Sequence, residues 1–184
     1  FVLAIDGRDN SRLLVQERYE VLRAMFYHET HDADAYLDPP DADTPLFKPI
    51  DLMLQTATPL LTGNWQASTE TYETGDLTYG NANPAAPDYD SLADFIFAGD
   101  YVELKLPWQL LNFSDPSRMT IHDDYYENYG VDYITIDTMY LGLTDGAAQE
   151  RTPLYPAALK GWGNTVSYHE RLKPSYYILQ KLWQ

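Results

Sequence analysis

The sequence predicts an all-β chain, an antiparallel β-sandwich of jelly-roll-like type with long loops and a short C-terminal helix. Three observations lead there. Short runs rich in β-branched and aromatic residues recur along the chain, separated by Gly, Pro and Asn signals. The segment Tyr101 to Leu106 alternates strictly, Val102, Leu104 and Leu106 against Tyr101, Glu103 and Lys105, the period of a strand with one buried and one wet face. The 16 Tyr and 12 Pro of the 184 residues suit pleated surfaces and loops better than helices.

Taken in order, Phe1 to Ile5 reads as a strand closed by Asp6-Gly7. Arg12 to Tyr27 fits a helical face through Leu14, Arg18, Val21, Leu22, Met25 and Phe26, but no capping box precedes it and aromatics are dense, which favours extended structure. His31 to Pro49 is a loop, because Pro39, Pro40, Pro45 and Pro49 deny it both helix and central strand. Ile50 to Thr58 has strand character, and after the Gly63-Asn64 turn Trp65 to Glu73 suits a second strand. Gly75-Asp76 and the run Gly80 to Pro84 punctuate a loop that extends to Asp90. Leu92 to Phe97 leads into the alternating strand, which Pro107 ends by removing a ladder donor.

Trp108, Leu110, Leu111 and Phe113 follow as an apolar knot, and Asp115-Pro116-Ser117 turns the chain. Met119 to Ile121 is short and apolar, His122 to Asp132 reads as a polar, Tyr-rich loop, and Asp132 to Leu143 as one strand. Residues 149–165 read as irregular. Pro174 can open a helix whose stripe is Tyr177, Ile178 and Leu182. Trp108 and Trp183 are expected in the core.

The chain is read as a single domain, 1–184, large enough to bury a core without staples. Its 12 basic and 28 acidic side chains give a net charge of −16, which argues against nucleic acid and anionic membrane surfaces as partners. The absence of cysteine excludes disulfides, thiolate zinc sites and thiol catalysis. No apolar run approaches the roughly 20 residues that span a bilayer, so insertion by a helix is not expected. Phe1 opens directly into an apolar run without an initiator Met, which reads as the C-terminal part of a longer protein.

The segment YVELKLPWQLLNF resembles the late strand of the sandwich family that contains family 9 carbohydrate-binding modules and DOMON-type domains, whose members carry an alternating strand ending in a Pro-Trp pair. YETGDLTYGNANP, YDSLADF and ERLKPSYYILQ are similar to C-terminal regions of uncharacterised bacterial surface or membrane-associated proteins. The resemblance covers residues 46–143, and its most specific piece, Val102 to Trp108, is architectural. It implies a β-sandwich, an extracellular or cell-surface location, and a non-catalytic carbohydrate-binding or accessory role beside an upstream domain of the same polypeptide. IDGRDNS is a loose echo of the family's N-terminal hairpin and assigns no binding site.

A sugar-binding surface needs aromatic rings for the C–H faces of the sugar and carboxylates or amides for its hydroxyls. Trp65 with Tyr72, and Tyr125, Tyr126 and Tyr129 beside Asp123 and Asp124, supply those groups. The competing reading places the same tyrosines at sheet and loop positions with only their hydroxyls exposed. Asp32, Asp34 and Asp38 in the acidic loop offer oxygen ligands for a hard cation such as Ca²⁺, against the plainer reading of a solvated loop. His28 and His31 are three apart, not the four of a zincin helix. A glycoside-active domain is the alternative function, with Asp123 and Asp124 or Glu70 and Glu73 as paired carboxylates, although adjacent aspartates on an extended chain point to opposite sides. A purely structural surface domain is the third. No P-loop, dinucleotide fingerprint or nucleophile elbow occurs.

Overall fold

A computed structural model describes residues 1–20, 24, 39–55, 70–128, 132–145, 151–163 and 174–183. Among these residues the chain is all-β and antiparallel, with twelve strands in five small sheets, two short α-helices and two 3₁₀ turns.

The N-terminal sheet runs in the order β1-β2-β3, with β1 at Val2–Ala4, β2 at Arg12–Gln16 and β3 at Phe47–Pro49. Gly7, at φ +69°, makes the turn between the first two strands. The buried Ser11 hydroxyl locks that turn, accepting the Asp6 N–H at 2.9 Å and donating to the Gly7 carbonyl at 2.8 Å. β2 shows the clearest period of two in the structure: Leu13 and Val15 are buried, while Arg12, Leu14 and Gln16 are half-exposed. The extended reading of this stretch therefore holds for Arg12–Gln16, after which Glu17–Tyr19 tightens into a 3₁₀ turn. Pro49 is tolerated because β3 is an edge strand.

β4 (Asp51–Gln55) and β5 (Glu70–Glu73) form a two-stranded sheet with a register shift between Met53 and Gln55. β6 (Phe95–Ala98) and β7 (Tyr101–Leu104) form a hairpin around Gly99-Asp100. Gly99 at φ +63° supplies the positive φ that a two-residue hairpin turn requires at its first position.

The core is Leu13, Val15, Ile50, Leu77 and Phe95, with Leu3, Tyr79, Leu106, Leu110 and Leu111 packed against it. Gly75 brings a neighbouring segment onto β2, its carbonyl accepting the Leu13 N–H at 2.7 Å. A β-carbon on Gly75 would collide with the Leu13 backbone carbonyl. Gly75→Ala is expected to cost about 1–3 kcal/mol, the range of overpacked cores, read as a lowered denaturant midpoint; an unchanged midpoint would refute the close approach.

Here the alternating strand departs from expectation. Val102 and Leu104 share a face with Phe97 and Phe95, their cross-strand partners, as the period requires. That face is covered only at Phe95: Val102 and Leu104 remain 39% and 45% exposed against 1% for Phe95. Alternation decides which side chains point together, but the covering layer decides their burial, and here it ends at Tyr79 and Phe95, whose rings meet edge-on at 5.4 Å. The strand also stops at Leu104, three residues before Pro107, where the Lys105 N–H turns to the Asp94 carbonyl at 2.7 Å.

Trp108–Leu111 is a 3₁₀ turn closed by Asn112 in the left-handed conformation, and Trp108 packs edge-on against Phe113 at 4.6 Å. A third sheet, in the order β10-β9-β8, contains β8 (Phe113–Asp115), β9 (Thr120–His122) and β10 (Tyr133–Thr135). The expected loop from His122 to Asp132 contains a short helix, α1 (Tyr125–Asn128). The single strand expected over Asp132 to Leu143 is two, because the chain breaks after β10 and resumes as β11 (Thr138–Leu141). β11 pairs with β12 (Tyr155–Ala158), in a stretch expected to be irregular; Pro156 is accommodated in a sheet of two edge strands.

The closing helix, α2 (Pro174–Leu182), is present as expected. Its stripe is not buried: Tyr177, Ile178 and Leu182 are exposed, and Trp183 is 84% exposed instead of in the core. The pattern is amphipathic enough to form a helix, but among the described residues no element packs on its apolar side.

Candidate ligand-binding surface

The sequence candidates divide sharply by burial. Tyr125 and Tyr126 lie in the interior with Asp124. Asp124 begins α1, its Oδ1 accepting the N–H groups of Tyr126 at 3.1 Å and Glu127 at 3.4 Å, as an N-terminal cap does. Its Oδ2 accepts the Arg18 Nε–H at 2.5 Å, 106 residues away in sequence. Arg18 also donates to the Pro40 carbonyl at 2.8 Å, approaches Glu127 at 3.5 Å and lies 5.8 Å from the Tyr126 ring centre. Burial is the largest single effect and opposes the guanidinium's charge, but the hydrogen bond to Asp124 and the charges of Asp124, Tyr19 and Glu127 together outweigh it and raise its pKa above the ordinary value. Asp123 accepts the Asn128 amide at 3.0 Å. This cluster joins the turn after β2 to α1, and its rings have no open faces for a sugar.

Trp65, Tyr129 and the acidic-loop residues Asp32, Asp34 and Asp38 lie outside the described residues, as do His28 and His31. Among the described residues no three His, Asp or Glu side chains converge so as to hold a metal ion, and no helix is long and apolar enough to cross a membrane.

Tyr72 is the sequence candidate that the fold leaves open. It sits in β5 opposite Leu52 of β4, and it is 60% exposed. Glu70 lies two residues along β5, on the same side of the pleat by the strand period, and is also exposed. The Glu73 end of the β4–β5 sheet is tied to the N-terminal sheet by Arg12, whose guanidinium meets Glu73 at 3.3 Å, and the Thr74 N–H on the Ile50 carbonyl at 2.8 Å extends the β4–β5 pairing by one bond. An open ring with an apolar neighbour and an exposed carboxylate on one sheet face can stack a sugar ring and accept hydrogen bonds from its hydroxyls.

Sequence reasoning missed a shallow pocket over the β6–β7 hairpin, walled by Gly80, Ala82, Asp94, Glu103, Leu104 and Lys105. Asp94 accepts the Thr78 N–H at 2.9 Å. Burial raises its pKa above the ordinary carboxylate value, against the lowering effects of that bond and of Lys105. An aspartate directly ahead of the apolar triplet Phe95 to Phe97 was the available signal. Its hydrogen bond shows it organising the loop before β6.

His122, at the end of β9, is half-buried with its Nδ1 shielded and unbonded, and its ring centre lies 5.5 Å from that of Tyr133. Burial lowers its pKa below the ordinary 6.5. Between that lowered value and 6.5 the unfolded chain binds more protons than the folded one, so this histidine makes the fold less stable as pH falls through 6.5. His122→Gln is expected to flatten that part of a stability–pH curve; an equally steep curve in the variant would show that the histidine contributes nothing to it.

No protein-family model, curated protein or solved structure matches this chain.

Proposed function

We propose that this chain is a non-catalytic, carbohydrate-binding-like module of a bacterial extracytoplasmic protein, and that the face bearing Tyr72, Leu52 and Glu70 is where the sugar stacks. The observation that carries the reading is the open Tyr72 ring on an antiparallel sheet, with an apolar cross-strand neighbour and an exposed carboxylate beside it. The antiparallel all-β architecture supports it. Rings on such a face bind by excluding water from the C–H side of a pyranose, so affinity is set by stacking area and by a few hydroxyl contacts.

Retention of the isolated chain on an array of immobilised glycans tests this. At least one glycan should hold the chain at millimolar concentration or below. Tyr72→Ala should weaken that retention by about tenfold, near 1.4 kcal/mol, with circular dichroism unchanged. Retention of no sugar would overturn the binding reading. Hydrolysis of a glycoside, abolished by one carboxylate-to-amide change, would replace it with an enzymatic one.

A further inference from the structure

The sheet that bears Tyr72 belongs to a part of the chain without a basic side chain. Residues 49–104, between Lys48 and Lys105, contain no Lys, Arg or His, but nine acids from Asp51 to Glu103. Three of these, Asp51, Glu70 and Glu73, stand on β4 and β5 themselves. Among the described residues the cation paired with this sheet is Arg12, and it meets Glu73. Glu70 is exposed and lies on the Tyr72 side of β5, so it is the charge that a ligand on this face meets.

The face therefore offers a saccharide an aromatic ring and a carboxylate. The ring face carries the negative part of its quadrupole and draws an ammonium group toward it. The carboxylate accepts a charge-assisted hydrogen bond from an ammonium, stronger than the bond it accepts from a hydroxyl. Tyr72 and Glu70 stand two residues apart on one strand face, about 7 Å, a span that one pyranose with its substituents bridges. A uronic acid meets the reverse situation. Its carboxylate faces Glu70 with no described cation on the sheet to compensate, in a chain of net charge −16.

We infer that the Tyr72 face selects saccharides with free amines, of the glucosamine type, over their neutral N-acetylated forms, and disfavours uronic acids. This rests on the stacking reading proposed above: Tyr72 holds the C–H face of the sugar, and Glu70 receives the ammonium at the edge of the sugar ring. An exposed ion pair and an exposed cation–π contact are each small, so the preference is about three- to tenfold in affinity. It falls as salt rises, because both partners are reached by solvent.

Calorimetric titration of the chain with a fully deacetylated glucosamine trimer, its N-acetylated counterpart and a galacturonate trimer tests this. Mildly acidic buffer keeps the amines protonated and Glu70 ionised. The amine trimer should bind about three- to tenfold more tightly than the N-acetylated one, the galacturonate more weakly than both, and the gap should narrow at high salt. Glu70→Gln should bring the amine and N-acetylated trimers within about twofold of each other, whereas Tyr72→Ala should weaken both. An N-acetylated trimer that binds the wild type as tightly as the amine overturns the inference and leaves the stacking reading standing. So does a preference that persists unchanged in Glu70→Gln. Spermidine bound as tightly as the amine trimer also overturns it, because charge alone then accounts for the affinity. Binding of none of the three saccharides overturns both the inference and the reading on which it rests.

Discussion

Replacing Arg18 by methionine should destabilise the fold by about 3–5 kcal/mol, the range for stranding one charge of a buried pair. Both side chains of the Arg18–Asp124 pair are 9% exposed, so loss of the cation leaves a carboxylate that water scarcely reaches. Arg18 also satisfies the Pro40 carbonyl, and no methionine atom can replace that donor. Asp124 separates two effects. Asp124→Asn keeps a cap acceptor for the N–H groups of Tyr126 and Glu127 but removes the charge, whereas Asp124→Ala loses both and should cost about 1 kcal/mol more. The double variant Arg18→Met, Asp124→Leu should be more stable than Arg18→Met alone, because it buries no unpaired charge. Chemical denaturation of the four variants checks this. Equal midpoints for wild type and Arg18→Met would show that the pair does not hold the turn after β2 to α1.

Phe95→Ala should cost about 3–5 kcal/mol through lost transfer energy and the cavity left behind. Phe95 is 1% exposed and sits where the covering layer of the hairpin is thickest, with Tyr79 edge-on at 5.4 Å and Phe97 edge-on at 5.7 Å. Its backbone joins the loop before β6 to the hairpin, since its carbonyl accepts the Gly80 N–H at 2.9 Å. Val102→Ala, one cross-strand pair along the same face and 39% exposed, should cost much less. The ratio of the two losses measures how far the core extends. Similar losses at both positions would mean that the open end of the face is covered in solution.

These two positions show what the sequence could and could not convey. The antiparallel all-β character was readable from the short β-branched and aromatic runs between Gly, Pro and Asn. The pairing of Val102 with Phe97 and of Leu104 with Phe95 follows from a period of two and a Gly-Asp turn. Burial was not readable, because it depends on which distant segment covers a face. Val102 and Leu104 were expected inside and are half-open, whereas Leu13 and Val15, in a stretch with a competing helical pattern, form the core.

The same reason divides the site candidates. Tyr72 and Tyr126 are alike as residue types beside acidic neighbours. Tyr126 is buried beside a capping aspartate paired with an arginine 106 residues away, and Tyr72 lies on an uncovered sheet face. The Arg18–Asp124 pair left no local mark in the sequence, since neither residue stands in a motif. The short α1 was hidden for a related reason: its start is fixed by Asp124, and a Tyr-rich polar stretch of that length reads equally well as loop.

An amide-resolved nuclear magnetic resonance titration of the isotope-labelled chain with soluble oligosaccharides tests the functional account most directly. Shifts that grow with sugar and cluster at Asp51–Gln55 and Glu70–Glu73, leaving Tyr125 and Tyr126 in place, are the result expected of a stacking face at Tyr72. Spectra unmoved at millimolar concentration by every sugar, or shifts centred on the Arg18–Asp124 cluster instead, would contradict it.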